Sequence, residues 1–109
     1  MIFTETPLAG AYLIDLEPHQ DDRGFFARTF CQKEFAARGL NASVAQCNTS
    51  FNHKQGTLLG LHCQKHPASE AKLVRCIHGT IHDVIVDLRA DSEAYGRHIA
   101  AETTAHKLH

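Results

Sequence analysis

The sequence predicts an all-β chain of sandwich or barrel type that carries one short helix. Three observations point there. Short runs of apolar residues recur with turn-forming residues about every eight to twelve positions. Only one stretch has the pattern of a helix. The 109 residues are 43% hydrophobic and 21% charged, a globular composition. Surface scaling gives roughly 6,000 Å² exposed when folded, against about 17,500 Å² unfolded. One compact domain over residues 1–109 is feasible on that scale, and two are not.

The elements follow in order. Ala11 to Leu16 (AYLIDL) is a strand. Pro18 to Gly24 (PHQDDRG) is polar turn material. Phe25 to Phe30 is aromatic-rich and strand-like. Gln32 to Arg38 is a short helix closed by Gly39, which can adopt the left-handed conformation at a helix end. Ser43 to Ser50 is a weak strand, and Asn52 to Gly56 a loop. Thr57–Gln64, Ala71–Ile77 and Thr80–Leu88 carry the strongest strand patterns, with turns at His66–Pro67 and His78–Gly79. A last strand runs from Gly96 to Thr103.

Period two sorts the faces. One set holds Leu58, Gly60, His62 and Gln64, then Lys72, Val74 and Cys76, then Ile81, Asp83, Ile85 and Asp87. The opposite set holds Leu59 and Leu61, Leu73 and Ile77, then Val84, Val86 and Leu88. If the first set faces inward, each strand brings a polar group into an apolar pocket, as a small-molecule site requires. If the second faces inward, those polar groups are solvated. Periodicity leaves both open.

Charge excludes some classes. Eleven Lys and Arg balance twelve Asp and Glu. A general nucleic-acid or anionic-membrane binder would need a basic face. No apolar run is long enough for a membrane helix, and the start, MIFTETPLAG, shows no secretory pattern. Nine histidines make the net charge climb from −1 as pH falls through about 6.5. Two of them, His106 and His109, sit in a tail that reads as frayed. Cys31, Cys47, Cys63 and Cys76 form no CxxC pair, so a zinc ribbon is not indicated. Cys63 and Cys76 fall in apolar runs and read as reduced packing residues of a cytoplasmic protein.

Six segments occur in a fixed order: DDRGFF (Asp21–Phe26), QCNTS (Gln46–Ser50), GTLLGLHCQ (Gly56–Gln64), AKLVRC (Ala71–Cys76), GTIHDVIVDLR (Gly79–Arg89) and SEAYG (Ser92–Gly96). Together they resemble the dTDP-4-dehydrorhamnose 3,5-epimerases, from about Met1 to about Thr103. The resemblance implies a cupin-like β-jelly roll, here incomplete at its C-terminal side. It also implies proton removal and return alpha to the keto group of a dTDP-4-keto-6-deoxyhexose, with no redox cofactor or metal, in deoxysugar biosynthesis. His62 matches the family base, and Asp83 the carboxylate that orients it and steadies the imidazolium. Lys72 matches the lysine beside the keto oxygen, where an ammonium stabilises enolate charge. Arg23 matches an arginine that holds the diphosphate, Phe26 an aromatic near the nucleotide, and Gln46 and Asn48 polar residues lining the site.

The resemblance has departures. Leu59 stands where the family usually has an arginine, Arg28 where a glutamate is common, and Cys63 where an aromatic follows the histidine. Tyr95 belongs to a structural motif and is not the family's catalytic tyrosine. That tyrosine, a second active-site histidine and the closing strands lie downstream of position 109 in the longer family members. A short form leaves strand edges open. It is therefore expected to form a homodimer with strand exchange.

Two rival functions remain at this stage. His62, His66 and Glu70 stand four residues apart, partly like the metal ligands of a cupin. Leu59, Arg28 and the absent tyrosine suit a non-catalytic module that binds sugar nucleotides.

Overall fold

A computed structural model describes residues 1–105; the tail predicted to fray, with His106 and His109, lies outside them. The chain is built from β-hairpins. β1 (Ile2–Glu5) pairs antiparallel with β2 (Tyr12–Asp15), with Ile2 opposite Asp15. β3 (His19–Asp21) pairs with β4 (Gly24–Phe26), so the segment expected to be turn alone also supplies a short strand. A single helix, α1 (Gln32–Ala36), follows. β5 (Thr80–Val86) and β6 (His98–Thr104) form the longest ladder, with Asp83 opposite Ala101. Each pair stands as its own two-stranded sheet.

The first hairpin and α1 share an aromatic cluster. The Phe35 ring meets Phe3 edge-on at 5.4 Å and Phe30 at 4.9 Å, and Phe3 meets Tyr12 at 6.2 Å. Such pairs stabilise beyond the area they bury. The Arg38 guanidinium lies 3.8 Å from the centre of the Phe3 ring and covers its face. Phe35 is buried, as are Leu8 and Leu16. The helix stops where the sequence indicates. Gly39, at φ +70°, donates to the Ala36 carbonyl, and Leu40 donates back to Phe35, a glycine-terminated helix end.

The turn between β5 and β6 is organised by Asp87. Its side chain is almost fully buried. Oδ1 accepts from the Arg89 backbone N–H (3.0 Å) and Nε (2.9 Å). Oδ2 accepts from the Arg89 guanidinium (2.7 Å) and from the Ser92 hydroxyl (2.6 Å). The Asp87 main chain is tied to Arg97 and Gly96 across the turn. These donors hold the Asp87 carboxyl well below the usual carboxylate range, with the Arg89 side chain contributing most and Ser92 next. Cys76 is buried at the other end of this ladder, before β5, its Sγ 3.4 Å from the carbonyl oxygens of His78 and Gly79.

The all-β expectation with one short helix therefore holds, with three corrections. Ser43–Ser50, Thr57–Gln64 and Ala71–Ile77 form no strand, because none has a ladder partner among the described residues. Alternation is a property of the segment, but a strand needs a neighbour to take its N–H and C=O groups. Ile2–Glu5, not expected from the sequence, is a strand because the reversal at Leu8–Ala11 folds it onto Tyr12–Asp15. Cys63 is exposed, because nothing covers the segment that carries it.

The accessible surface is 9278 Å², well above the roughly 6,000 Å² expected for a compact chain of this mass. Large apolar side chains contribute to it. Leu58, Leu59, Leu61, Leu73, Val74 and Ile77 are all exposed. The choice between the two sets of strand faces is not made by residues 1–105 alone, since apart from buried Cys76 both are open to solvent along Thr57–Ile77.

Candidate functional site

The residues expected to do chemistry fall on three elements. His62 lies in the Thr57–Gln64 segment, whose entry is fixed by the Thr57 hydroxyl donating to the Lys54 carbonyl at 2.7 Å. Gly60 is the local determinant of His62. Its φ of +98° is a backbone conformation that side chains rarely adopt. A Cβ placed on it would lie 3.6 Å from His62 Nδ1 and 3.5 Å from the His62 backbone nitrogen. Those are ordinary contact distances, so it is the backbone conformation and not the space that calls for glycine here.

Lys72 lies in the Ala71–Ile77 segment. Its ammonium pairs with Glu70 at 3.0 Å, and both side chains reach solvent. Asp83 sits at the centre of β5 and is half-buried. Among the described residues, no hydrogen bond or ion pair joins His62, Lys72 and Asp83 to one another. Asp83 also forms no ion pair with Lys72 or Arg75 among the described residues, Lys72 being held by Glu70. An enclosed, dry cup around these three groups is not made by residues 1–105 alone: His62 and Lys72 are exposed.

The residues expected to bind nucleotide occupy the second hairpin and the segment after α1. Arg23 stands at the β3–β4 turn with its guanidinium on Asp21, at 2.6 Å and 3.2 Å from Oδ2. The Arg23 backbone N–H also donates to Asp21 Oδ1 at 2.8 Å. These bonds lower the Asp21 pKa below its ordinary value, the Arg23 side chain first. The Arg23 side chain remains 90% exposed, so its cation can still meet a second anion. Phe26, on β4 opposite His19, is also exposed. So are Gln46 and Asn48. Arg28, one of the departures noted above, lies 3.7 Å from Glu34 on α1.

Two shallow surface depressions are present among the described residues. One, of about 380 Å³, is lined by Pro7, Ala9 and the Arg89–Ala94 turn. The other, of about 250 Å³, lies along Glu5–Tyr12. Neither includes a predicted site residue. Among the described residues no group of three His, Cys, Asp or Glu side chains is arranged to hold a metal ion, so His62, His66 and Glu70 do not converge. No helix among them is long and apolar enough to cross a membrane. The Asp87–Arg89–Ser92 network, not singled out from the sequence, is the most tightly bonded polar cluster. Its signal was the acidic, basic and hydroxyl residues at 87, 89 and 92 closing a strand.

The hairpins and the helix make an antiparallel, mostly β architecture, and the comparisons place it among sugar-nucleotide epimerases. The family profile described as dTDP-4-dehydrorhamnose 3,5-epimerase matches residues 5–109, and the chain belongs to that family. It is 37% identical over 102 residues to the dTDP-4-dehydrorhamnose 3,5-epimerase of Sinorhizobium fredii, a match covering 94% of this chain and 52% of that protein. It is 44% identical over 94 residues to the enzyme of the same name from Methanothermobacter thermautotrophicus, covering 86% and 50%. Among solved structures, the chain superposes on the dTDP-4-dehydrorhamnose 3,5-epimerase of Bacillus anthracis with TDP and PPi bound. The TM-score is 0.92 at 36% identity, over 98% of this chain and 61% of that one. The enzyme of that name from Elizabethkingia anophelis gives 0.88 at 38% identity, over 98% and 58%. The chain spans about half the length of the curated relatives it matches.

Proposed function

We propose that this chain carries the proton-abstracting half of a 3,5-epimerase acting on a dTDP-4-keto-6-deoxyhexose, an isomerase of cytoplasmic deoxysugar biosynthesis. The observation that carries the reading is the match to an epimerase family over residues 5–109, which includes every candidate site residue. The TDP in the Bacillus anthracis structure supports a dTDP-sugar as the ligand class.

In this reading the His62 imidazole removes a proton from a carbon alpha to the C4 carbonyl. The C–H bond breaks, and its electron pair passes into an enolate. The Lys72 ammonium, exchanging Glu70 for the enolate oxygen, stabilises the developing charge. Asp83, half-buried and bonded to no other described side chain, takes the imidazolium N–H and fixes the tautomer. Return of a proton from an acid on the other face restores the ketone with inverted configuration. Arg23 holds the diphosphate with the outward side of its guanidinium, Phe26 packs on the nucleotide, and Gln46 and Asn48 bond the sugar.

The chain forms a homodimer with strand exchange. The open edges of β1–β4 and the exposed Phe25 and Phe26 support a homodimer. The test is deuterium wash-in. The 109-residue chain, incubated with a dTDP-4-keto-6-deoxyhexose in D₂O, is expected to place deuterium at C3 or C5, and His62→Ala to abolish it. Exchange that persists unchanged in the variant would remove His62 from the base role.

A further inference from the structure

β3 and β4 pair with Asp21 opposite Gly24, so Asp22 and Arg23 alone form the turn between them. The register sets His19, Asp21, Gly24 and Phe26 on one face of this hairpin. At Gly24 there is open space where a side chain would stand, with nothing within 4 Å. Phe26, about 7 Å further along the strand, is 76% exposed. The face is therefore open from the turn to the aromatic ring.

Asp21 joins this turn to the Arg23 side chain. Its Oδ1 accepts from the Arg23 backbone N–H at 2.8 Å, which fixes the carboxylate on the turn. Its Oδ2 accepts from Arg23 Nη2 at 2.6 Å and from Nε at 3.2 Å. Nε and Nη2 form one edge of the planar guanidinium, and the Nη1–Nη2 edge is a second fork of N–H groups. Both Nη1 protons and the outer Nη2 proton stay free of Asp21. The Arg23 side chain is 90% exposed, so that second fork stands in water. An untethered arginine at such a place samples many rotamers and loses that freedom when it grips an anion. Here the freedom is restricted before a ligand arrives, by a carboxylate that the backbone itself holds.

We propose that Asp21 is a positioning residue for diphosphate binding. It fixes the Arg23 guanidinium on the face that carries Phe26 and presents the Nη1–Nη2 fork to one phosphate group. The inference rests on the reading that Arg23 meets the diphosphate. Two effects of the carboxylate oppose each other. Its charge repels a nearby phosphate, while its bonds spare Arg23 the loss of rotamer freedom on binding. Asp21 is 51% exposed and already neutralised by Arg23, so the repulsion is screened. The tether is not weakened in that way, because part of it is the bond to the backbone N–H. Positioning therefore outweighs repulsion, and cutting the tether weakens binding.

The experiment is a double-mutant cycle on the 109-residue chain, with dTDP as the probe and calorimetry as the readout. Asp21→Asn keeps an oxygen for the Arg23 backbone N–H, but its amide nitrogen cannot accept from the guanidinium. The turn stays and the tether is cut. The variant is expected to bind dTDP about three- to tenfold more weakly, since the ligand must then order a long side chain. In an Arg23→Ala background the same change is expected to have no effect. Asp22 is exposed and bonded to no other described residue. Asp22→Asn removes the same charge from the same turn and leaves the tether, so dTDP binding should stay within about twofold or tighten. Unchanged or tighter binding by Asp21→Asn would overturn the inference and leave Arg23 in its role. An equal loss in the Arg23→Ala background would also overturn it, because Asp21 would then act on the fold and not through Arg23. So would a loss with Asp22→Asn as large as with Asp21→Asn. An Arg23→Ala chain that binds dTDP as the parent does would remove Arg23 from the nucleotide site and the inference with it.

Discussion

Replacing Phe35 by alanine should remove the keystone of the aromatic cluster and unfold the α1 end of the chain. Phe35 is 5% exposed and its ring touches both Phe3 and Phe30. Phe-to-Ala changes in cores cost about 3–5 kcal/mol. Here Phe3 and Phe30 are only half-buried and can partly collapse into the space. The loss is therefore set at the lower end, about 3 kcal/mol. A chain of this size has about 5–15 kcal/mol in total. The large exposed surface places this one low in that range. Urea denaturation followed by far-UV circular dichroism is the assay, and the melting temperature should fall by roughly 12 °C or more. Phe35→Leu should lose about half as much. Phe51→Ala is the control: Phe51 is exposed and meets the His53 ring edge-on, so its removal should cost about 0.5 kcal/mol or less. A Phe35→Ala loss below about 1 kcal/mol would refute the assignment of the cluster as the core of this region.

Three further outcomes are expected. Asp87→Asn should lower the denaturation midpoint at pH 7 and flatten its acid dependence. The native carboxyl is depressed, so its contribution is complete above the unfolded-state value of about 3.9 and is lost as pH falls below it toward the folded value. An unchanged acid limb, measured between about pH 5 and 2, would show that Asp87 is not linked to folding. Gly60→Ala should cost about 1–3 kcal/mol, because φ is +98° there, a backbone conformation that alanine rarely adopts. It should also slow proton exchange more than it weakens dTDP binding, and equal losses in both would place Gly60 away from the base. Leu59→Arg should tighten dTDP binding about tenfold by adding a charge-assisted phosphate contact, read by calorimetry. No gain would put residue 59 outside the nucleotide site.

The parts of the fold legible in the sequence are those whose cause is local. The helix at Gln32–Ala36 and its stop at Gly39 follow from residues within one or two turns of each other. Thr80–Val86 pairs with His98–Thr104 because two alternating runs flank a turn closed by Asp87, and a nearby pair is found without outside help. His19–Asp21 was hidden because it is polar; its pairing comes from the Asp21–Arg23 turn and not from burial. Thr57–Gln64 and Ala71–Ile77 show the opposite error. Their alternation is as strong as that of β5, yet a ladder is a property of two segments, and neither has a partner among the described residues.

The candidate site divides in the same way. The identities of His62, Lys72 and Asp83 are legible because each sits in a short motif with fixed neighbours. Their meeting is not, because it depends on which surfaces cover Thr57–Ile77. The structure adds what the motif did not contain. Gly60 lies against the His62 ring, Lys72 is held by Glu70, and Arg23 is held by Asp21 with most of its side chain still in water. The last two are cations on short acidic leashes, available to a ligand with more negative charge than one carboxylate.

Solvent deuterium entering a bound 4-keto sugar nucleotide, followed by NMR, bears most directly on the role of His62. The account predicts label at C3 or C5 with the parent chain and at least a 100-fold slower rate with His62→Ala, the range for loss of a general base. Binding of the sugar nucleotide with no label above the buffer rate in either protein would contradict it.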